Sequence, residues 1–507
     1  MPSPLRRTPL VESGVFYFPR ILPNLASKNN TMAPSSSHLL SRLALFLAAA
    51  VILLANCRHD ILHGEPDDTS GLPPGTSFLE PSAQRSGDPA AGYQYLIYGN
   101  YIGSGIPLQI FKQFFGGNSP DDLGRSGDAD GIPFNFNVVT ASNGVKVVAP
   151  TCLTCHAERL NGQLIVGLGN NTSDHTNNQA SMFQTADLAV KLLYGQNSPE
   201  WNAYYPASRA SQTIGPYILT KTRGVNPADK IFATLAAHRQ SVDLAWIDAA
   251  QFNVPLEAVP TDVPAWWLMK KKNALYYNGL GRGDFARLST ASGMLTMLDS
   301  TEARQVDQKF PDLMAWIRTL EAPAYPYSID QTLAAQGKLL FENKCSKCHG
   351  KYGAEETYPN LLVELSTVKT DTMLANSYQL YPEYANWYNE SWYGQGPNKG
   401  QLLPNKGYVA PPLDGIWATA PYLHNASVPT LDDLLHSAQR PKYWKRTFDN
   451  SDYNQVKMGW NYTVETSKTG IDTYDTTLPG YTNSGHTFGD VLSENERKAV
   501  LEYLKTL

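Results

Sequence analysis

The sequence predicts a mainly α fold built from two related domains with long irregular loops. Three observations carry that expectation. A Cys-x-x-Cys-His pentapeptide occurs twice, at Cys152–His156 and Cys345–His349, once in each half of the 507-residue chain. Marked helix starts recur along the sequence, whereas no convincing run of alternating strand residues stands out. A short repeat falls where each domain should close: Trp316-Ile-Arg-Thr-Leu320 matches Tyr503-Leu-Lys-Thr-Leu507 as aromatic, aliphatic, base, Thr and Leu. The 38 Gly and 35 Pro account for the loops, and 28 Tyr with 10 Trp point to aromatic-lined interiors. A net charge of -5 gives no electrostatic reason to expect nucleic acid.

The elements follow in order. Residues 1–57 read as an upstream extension and an export signal, with Met32 the expected start. Arg42 precedes the apolar run 43–55, which has signal-peptide length and is short for a membrane span. The run ends in Leu54-Ala55-Asn56-Cys57, which resembles a lipoprotein box and makes Cys57 a candidate lipid site, with cleavage and release as the alternative. Residues 58–90 read as a flexible Pro/Gly/Ser/Asp tether. A first domain is expected over 91–322 and a second over 323–507, separated at the Pro-rich 321–328.

Within the first domain, Asp88 with Pro89 should open one helix and Asn226 should cap another. In the second, Asp330 should cap a helix running into the Cys345 motif, with an apolar stripe of Ile329, Leu333, Leu340 and Phe341. Gly337 leaves that helix thin enough for a close crossing. The expected partner is the C-terminal helix, opened by a Ser493/Glu496 capping box and lined by Val500, Leu501 and Leu504.

Five cysteines occur: 57, 152, 155, 345 and 348. A thioredoxin-type pair, a structural disulfide or a four-thiolate zinc site would each leave the two adjacent histidines as coincidence, and the pairs lie too far apart for a zinc ribbon. Haem c uses every group. Cys152, Cys155, Cys345 and Cys348 would carry the thioethers, and His156 and His349 would be the proximal iron ligands. Each domain then reads as cytochrome c-like, with two covalently bound haem c groups in all.

The far side of each iron separates an open, reactive haem from an electron relay. His486 lies in the Gly-flanked loop "YTNSGHTFGDVL" before the terminal helix and is the best candidate for a sixth ligand in the second domain. His424 and Met458 are its rivals. No distal ligand stands out for the first haem, and His175 in "NNTSDHTNNQ" reads as a solvated or turn residue. The Asn/Asp-rich stretch 170–178 also leaves room for a calcium ion, although such runs are usually plain loops.

Several stretches carry a resemblance. They are "SGIP" (104–107), "VVAPTCLTCHA", "VPAWWLMKKKNALYYNGLGRGDFAR", "GYVAPPLDGIWATAPYLHNASVPTLDDLL" and "SGHTFGDVL" with the closing "EYLKTL". Together, and in this order from about residue 90, they resemble the bacterial di-haem rubber oxygenase family, a branch of the di-haem cytochrome c peroxidase superfamily. The resemblance implies an open N-terminal haem on His156 and a C-terminal haem held between His349 and His486. The peroxidase branch, which often uses Met on its relay haem, keeps Met458 in view. The resemblance further implies that Trp267, or Trp266, stands between the haems and that Phe285 lines an apolar distal pocket. Ala426 stands where Gly is common in the family.

The expected function is that of an exported di-haem c-type oxidoreductase, periplasmic or anchored through a lipid on Cys57. Its open haem would react with dioxygen or peroxide, and its partners would be that oxidant and an electron donor or oxidisable organic substrate. The alternative is an electron-transfer cytochrome with both irons six-coordinate.

Overall fold

Side-chain caps set three of the four helix starts that the sequence marks. Asp88 accepts from the Ala90 amide at 2.9 Å and opens helix α1, Pro89–Tyr98. Helix α2 is Ala228–Ala237, and here the expectation of an Asn226 cap is corrected: Pro227 holds the cap position without a side-chain bond, because the Asn226 amide is turned toward Cys155. Helix α3 is Phe310–Ile317. Asp330 accepts from Thr332 and Leu333 to open α4, Gln331–Lys344, and the Ser493/Glu496 capping box opens α5, Glu494–Leu504. The computed structural model describes residues 74–507 except Asn118 and Asp121. The upstream extension, the export segment with Cys57 and the tether up to residue 73 lie outside the described residues.

Two helix crossings organise the chain. Helix α4 packs on α5 so closely that a Cβ on Gly337 would lie 1.9 Å from the Ala499 carbonyl oxygen. The buried stripe of α4 is Ala334, Gly337 and Phe341, at helical spacing, and it meets Ala499, Val500 and Tyr503. The first half repeats the device. Helix α1 packs on α3, and a Cβ on Gly92 would lie 2.0 Å from the Asp312 carbonyl oxygen. The two short repeats at 316–320 and 503–507 sit at the ends of the two partner helices.

The mainly α expectation is overturned. Helices hold 39% of the described residues and strands 13%, the strands in several small sheets, so the fold is mixed α/β. The strands are only two to five residues long, too short for alternation to show, and many pair with remote segments. Two hairpins bracket the first Cys-x-x-Cys-His. Phe136–Thr140 pairs antiparallel with Lys146–Pro150 around Asn143-Gly144, and Ala157–Leu160 pairs with Gln163–Val166 around Asn161-Gly162. Asn161 and Gly162 both take positive φ, at 51° and 77°, the turn geometry that Asn-Gly favours. That signal was legible in the sequence.

Other pairings tie distant residues together. Thr76–Phe78 joins Leu361–Glu364, which in turn joins Gly407–Val409, and Gly281–Gly283 pairs with Gly400–Leu402. The end of the segment read as a tether is thus built into a sheet. Arg85 anchors it further, with bonds to both Asp284 oxygens and to Asp307 at 2.7–3.1 Å. The described residues fall in a single compact unit. Its largest apolar cluster gathers Leu153, Trp266, Phe285 and Phe310; a second gathers Trp267, Phe341, Trp417 and Leu504.

Replacing Gly337 by Ala should destabilise the protein by roughly 2–3 kcal/mol, because the backbone of α5 cannot yield locally. The gain of about 1 kcal/mol in helix propensity from Gly to Ala is too small to offset it. Urea unfolding of the variant checks this; an unchanged midpoint would show that the two helices separate without cost.

Candidate functional site

The first motif hangs from a strand. Lys146–Pro150 delivers Thr151, whose hydroxyl accepts from the Leu153 amide and starts a tight turn over Cys152–Thr154. The Thr151 amide and the Thr154 hydroxyl both reach the Asn135 carbonyl, at 2.9 and 3.0 Å. The His156 amide then closes on the Cys152 carbonyl at 3.0 Å. One turn of backbone therefore presents both thiols and the imidazole. Cys152 packs against the apolar cluster that contains Trp266 and Phe285, and the Cys155 Sγ accepts from Asn226 Nδ2 at 3.3 Å. The His156 ring stacks on Trp266, centroids 4.7 Å apart and planes 21° from parallel.

The second motif hangs from a helix. Cys345 is the C-cap of α4, and a single helical turn, Ser346–His349, carries the rest. The His349 amide again closes on the first cysteine's carbonyl, at 3.0 Å. Its ring Nδ1 bonds the Pro411 carbonyl at 2.8 Å. A carbonyl can only accept, so Nδ1 carries the hydrogen and Nε2 keeps a lone pair for a metal. At His156 the carbonyl that favours the charged ring is that of Pro264, although Nδ1 itself is buried without a hydrogen-bond partner.

His486 faces His349. The ring centroids are 6.2 Å apart and the planes 60° from parallel. A metal held about 2 Å from one nitrogen of each ring would separate the centroids by roughly 6 Å, so the spacing fits a single ion. His486 has φ 44° and ψ 53°, a left-handed conformation uncommon for a residue with a side chain. Its amide bonds the Val368 carbonyl at 2.7 Å, and a Cβ on the preceding Gly485 would lie 2.2 Å from the Lys369 backbone. Arg440 holds the loop from the other side. Its guanidinium donates to the carbonyls of Leu434, Asn483, Gly485 and His486 at 2.6–3.1 Å, and its Nε to Asp433 at 3.2 Å. Sequence reasoning missed Arg440, because no local pattern marks a side chain that serves carbonyls more than forty residues away.

The rival residues pack against other side chains. His424 is buried and stacks on Tyr408 at 4.0 Å. Met458 is fully buried among Trp417, Tyr422 and Leu431, and its backbone pairs with Leu431. His175 is half-buried rather than solvated, with Nδ1 unpartnered. In 170–178 the Asp174 carboxylate is taken up by Thr176, and among the described residues no three His, Cys, Asp or Glu side chains gather to hold a metal ion. The adjacent indoles part company: Trp266 packs with the first motif, whereas Trp267 joins the cluster around the second, its N–H donating to the Asp414 carbonyl at 2.8 Å.

Burial sets the protonation states. It lowers the imidazole pKa to about 4 for His156 and to about 3 for His486, where the facing His349 adds to the effect. It raises the Cys152 and Cys345 thiols to about 11, far from the activated thiolates of redox CxxC enzymes. The four motif cysteines form no disulfide. Neutral imidazoles with free lone pairs, beside unpaired thiols in apolar surroundings, fit haem c and not a thioredoxin-type pair or a shared zinc site.

The comparisons agree at this level. The family described as RoxA-like, cytochrome c-like, matches residues 407–445. That segment includes Pro411, Trp417, His424 and Arg440, and so supplies both the carbonyl behind His349 and the clamp on the His486 loop. The chain is 26% identical to the uncharacterized protein y4iM of Sinorhizobium fredii, over 52% of this chain and 68% of that protein. It is 30% identical to the uncharacterized protein y4iJ of the same organism, over 40% of this chain and 44% of that protein, less than half of the relative's length. The matched segment supports a relationship with RoxA-like cytochrome c and a cytochrome c-type haem protein.

Truncating Arg440 to Ala should lower stability by roughly 2–3 kcal/mol, since several part-buried carbonyls lose a charged donor at once. Lys at the same position should recover only part, because one ammonium cannot span the same fork. Denaturant unfolding of both variants measures this, and full recovery by Lys would reject the clamp.

Proposed function

We propose that this protein is an exported di-haem c-type oxidoreductase with unequal centres. Cys152 and Cys155 attach the first haem, with His156 its proximal ligand. Cys345 and Cys348 would attach the second, for which His349 and His486 would supply the iron ligands. The observation that carries the reading is the facing pair His349–His486, set against the indole of Trp266 stacked on His156. When bound, haem c would supply electron exchange at the six-coordinate second centre and reactivity toward dioxygen or peroxide at the open first one.

The chain's own residues set the difference. At the second centre Pro411 fixes the His349 tautomer, and Arg440 with Gly485 fixes the approach of His486. At the first, Phe285 and Leu153 contribute to an apolar environment that excludes water. Glu158, next to the motif, is engaged by the Thr172 hydroxyl at 2.7 Å and the Arg159 amide, which leaves it poorly suited to act as an acid or base. The pair Trp266–Trp267 links the surroundings of the two motifs through a single peptide bond, a short route for electrons. Export, and a lipid on Cys57, complete the proposal from the sequence of residues 32–57. Membership of the di-haem peroxidase superfamily belongs to the same proposal, as does an oxidisable organic substrate.

A pyridine haemochrome assay should find two haem c per chain, and Cys152→Ala with Cys155→Ala should remove one. Electron paramagnetic resonance of the oxidised protein should show one high-spin and one low-spin iron, with the low-spin signal lost in His486→Ala. Two low-spin irons in the wild type would instead favour the electron-transfer cytochrome.

A further inference from the structure

A pocket of about 30 Å³ opens at the first turn of α2, with Asp229, Lys230, Phe252, Tyr378, Tyr381 and Tyr384 among its walls. It has room for a water molecule. The Asp229 side chain is only 8% exposed, and its Oδ1 has no hydrogen-bond partner, which is costly for a buried carboxylate unless it carries a proton or meets water. Its Oδ2 lies 3.9 Å from Lys230 Nζ, a loose ion pair.

The position of Asp229 gives it a second connection. It sits in the first turn of α2, three residues after Asn226, whose Nδ2 donates to the Cys155 Sγ. The Asn226 Oδ1 is also buried and unpartnered. Two unsatisfied acceptors thus stand along one short stretch of backbone, one at the thiol of the first motif and one at the pocket. The capping acids Asp88 and Asp330 instead accept backbone amides through Oδ1 and are exposed, whereas Asp229 is buried.

We propose that this pocket is a proton-uptake site for the first centre, in which Asp229 exchanges a proton with pocket water as an electron enters or leaves the haem held at Cys152, Cys155 and His156. The inference rests on the haem assignment above. In the reducing direction, one electron comes from an external one-electron reductant. One proton passes from solvent, through the pocket water, to the Asp229 carboxylate, where an O–H bond forms. The added negative charge is thereby offset, and oxidation reverses both transfers.

The groups facing Asp229 suit this role. Lys230 on its own helix favours the ionised form, while Glu383 at the start of the opposing helix Glu383–Glu390 does not; the remaining neighbours are the phenols Tyr378, Tyr381 and Tyr384, and the loop 252–255 brings no charge. Burial dominates and raises the Asp229 pKa to about 7, where a proton can be gained or lost near neutrality.

The test is a spectroelectrochemical titration of the holoprotein as a function of pH. In the wild type, one of the two midpoint potentials should fall as pH rises through about 7. That slope should vanish in Asp229→Asn and return in Asp229→Glu. A wild-type potential with no inflection near neutrality, or a slope that persists in Asp229→Asn, overturns the proposal. Should Asp229→Asn not fold, the wild-type profile and Asp229→Glu still decide it. Failure of the haem assignment shows separately, as absence of the pyridine haemochrome signal.

Discussion

The backbone contact between α4 and α5 at Gly337 is the constraint on which the second half of the molecule depends. The helices approach until no side chain fits between them, and the C-terminal end of α4 is Cys345 itself. The crossing therefore determines where the thiols and His349 stand relative to the chain's last helix and the loop that precedes it. His486 lies in that loop, and its own strained backbone is stabilised by contacts on two sides. A displacement of one helix would move one imidazole away from the other. The first half repeats the crossing at Gly92, but hangs its motif from a strand and a hairpin instead. The same five-residue pattern is thus presented by two different local structures.

A protein with this much irregular backbone must satisfy many carbonyls outside helices and sheets. It does so repeatedly with arginine. Arg440 serves the His486 loop, Arg125 the carbonyls of Ile132, Pro133 and Phe136, and Arg239 those of Leu244, Met294 and Met297. A planar guanidinium reaches several acceptors at once and keeps its charge, which a lysine cannot match in geometry. Where titratable groups are buried without such partners, burial shifts them toward the neutral form: Asp262 is raised to about 7 despite its bond from Tyr277, and His424 is lowered to about 3.

The sequence by itself determined the candidate groups of the site and the local turns that display them. Two Cys-x-x-Cys-His motifs, the caps at Asp88, Asp330 and Ser493, and the close crossing at Gly337 are written in short stretches, where steric and hydrogen-bonding rules act within a few residues. The two Asn-Gly hairpins were written there too, but were passed over because their strands are only four or five residues long. Tertiary structure alone decided the rest. It chose His486 over His424 and Met458 to face His349, sent Trp266 and Trp267 to different clusters, turned Asn226 from a helix cap into a partner for Cys155, and made the fold mixed rather than mainly α. Each of these depends on pairing between segments far apart in the chain, whose energy comes from desolvation and packing that no local pattern records.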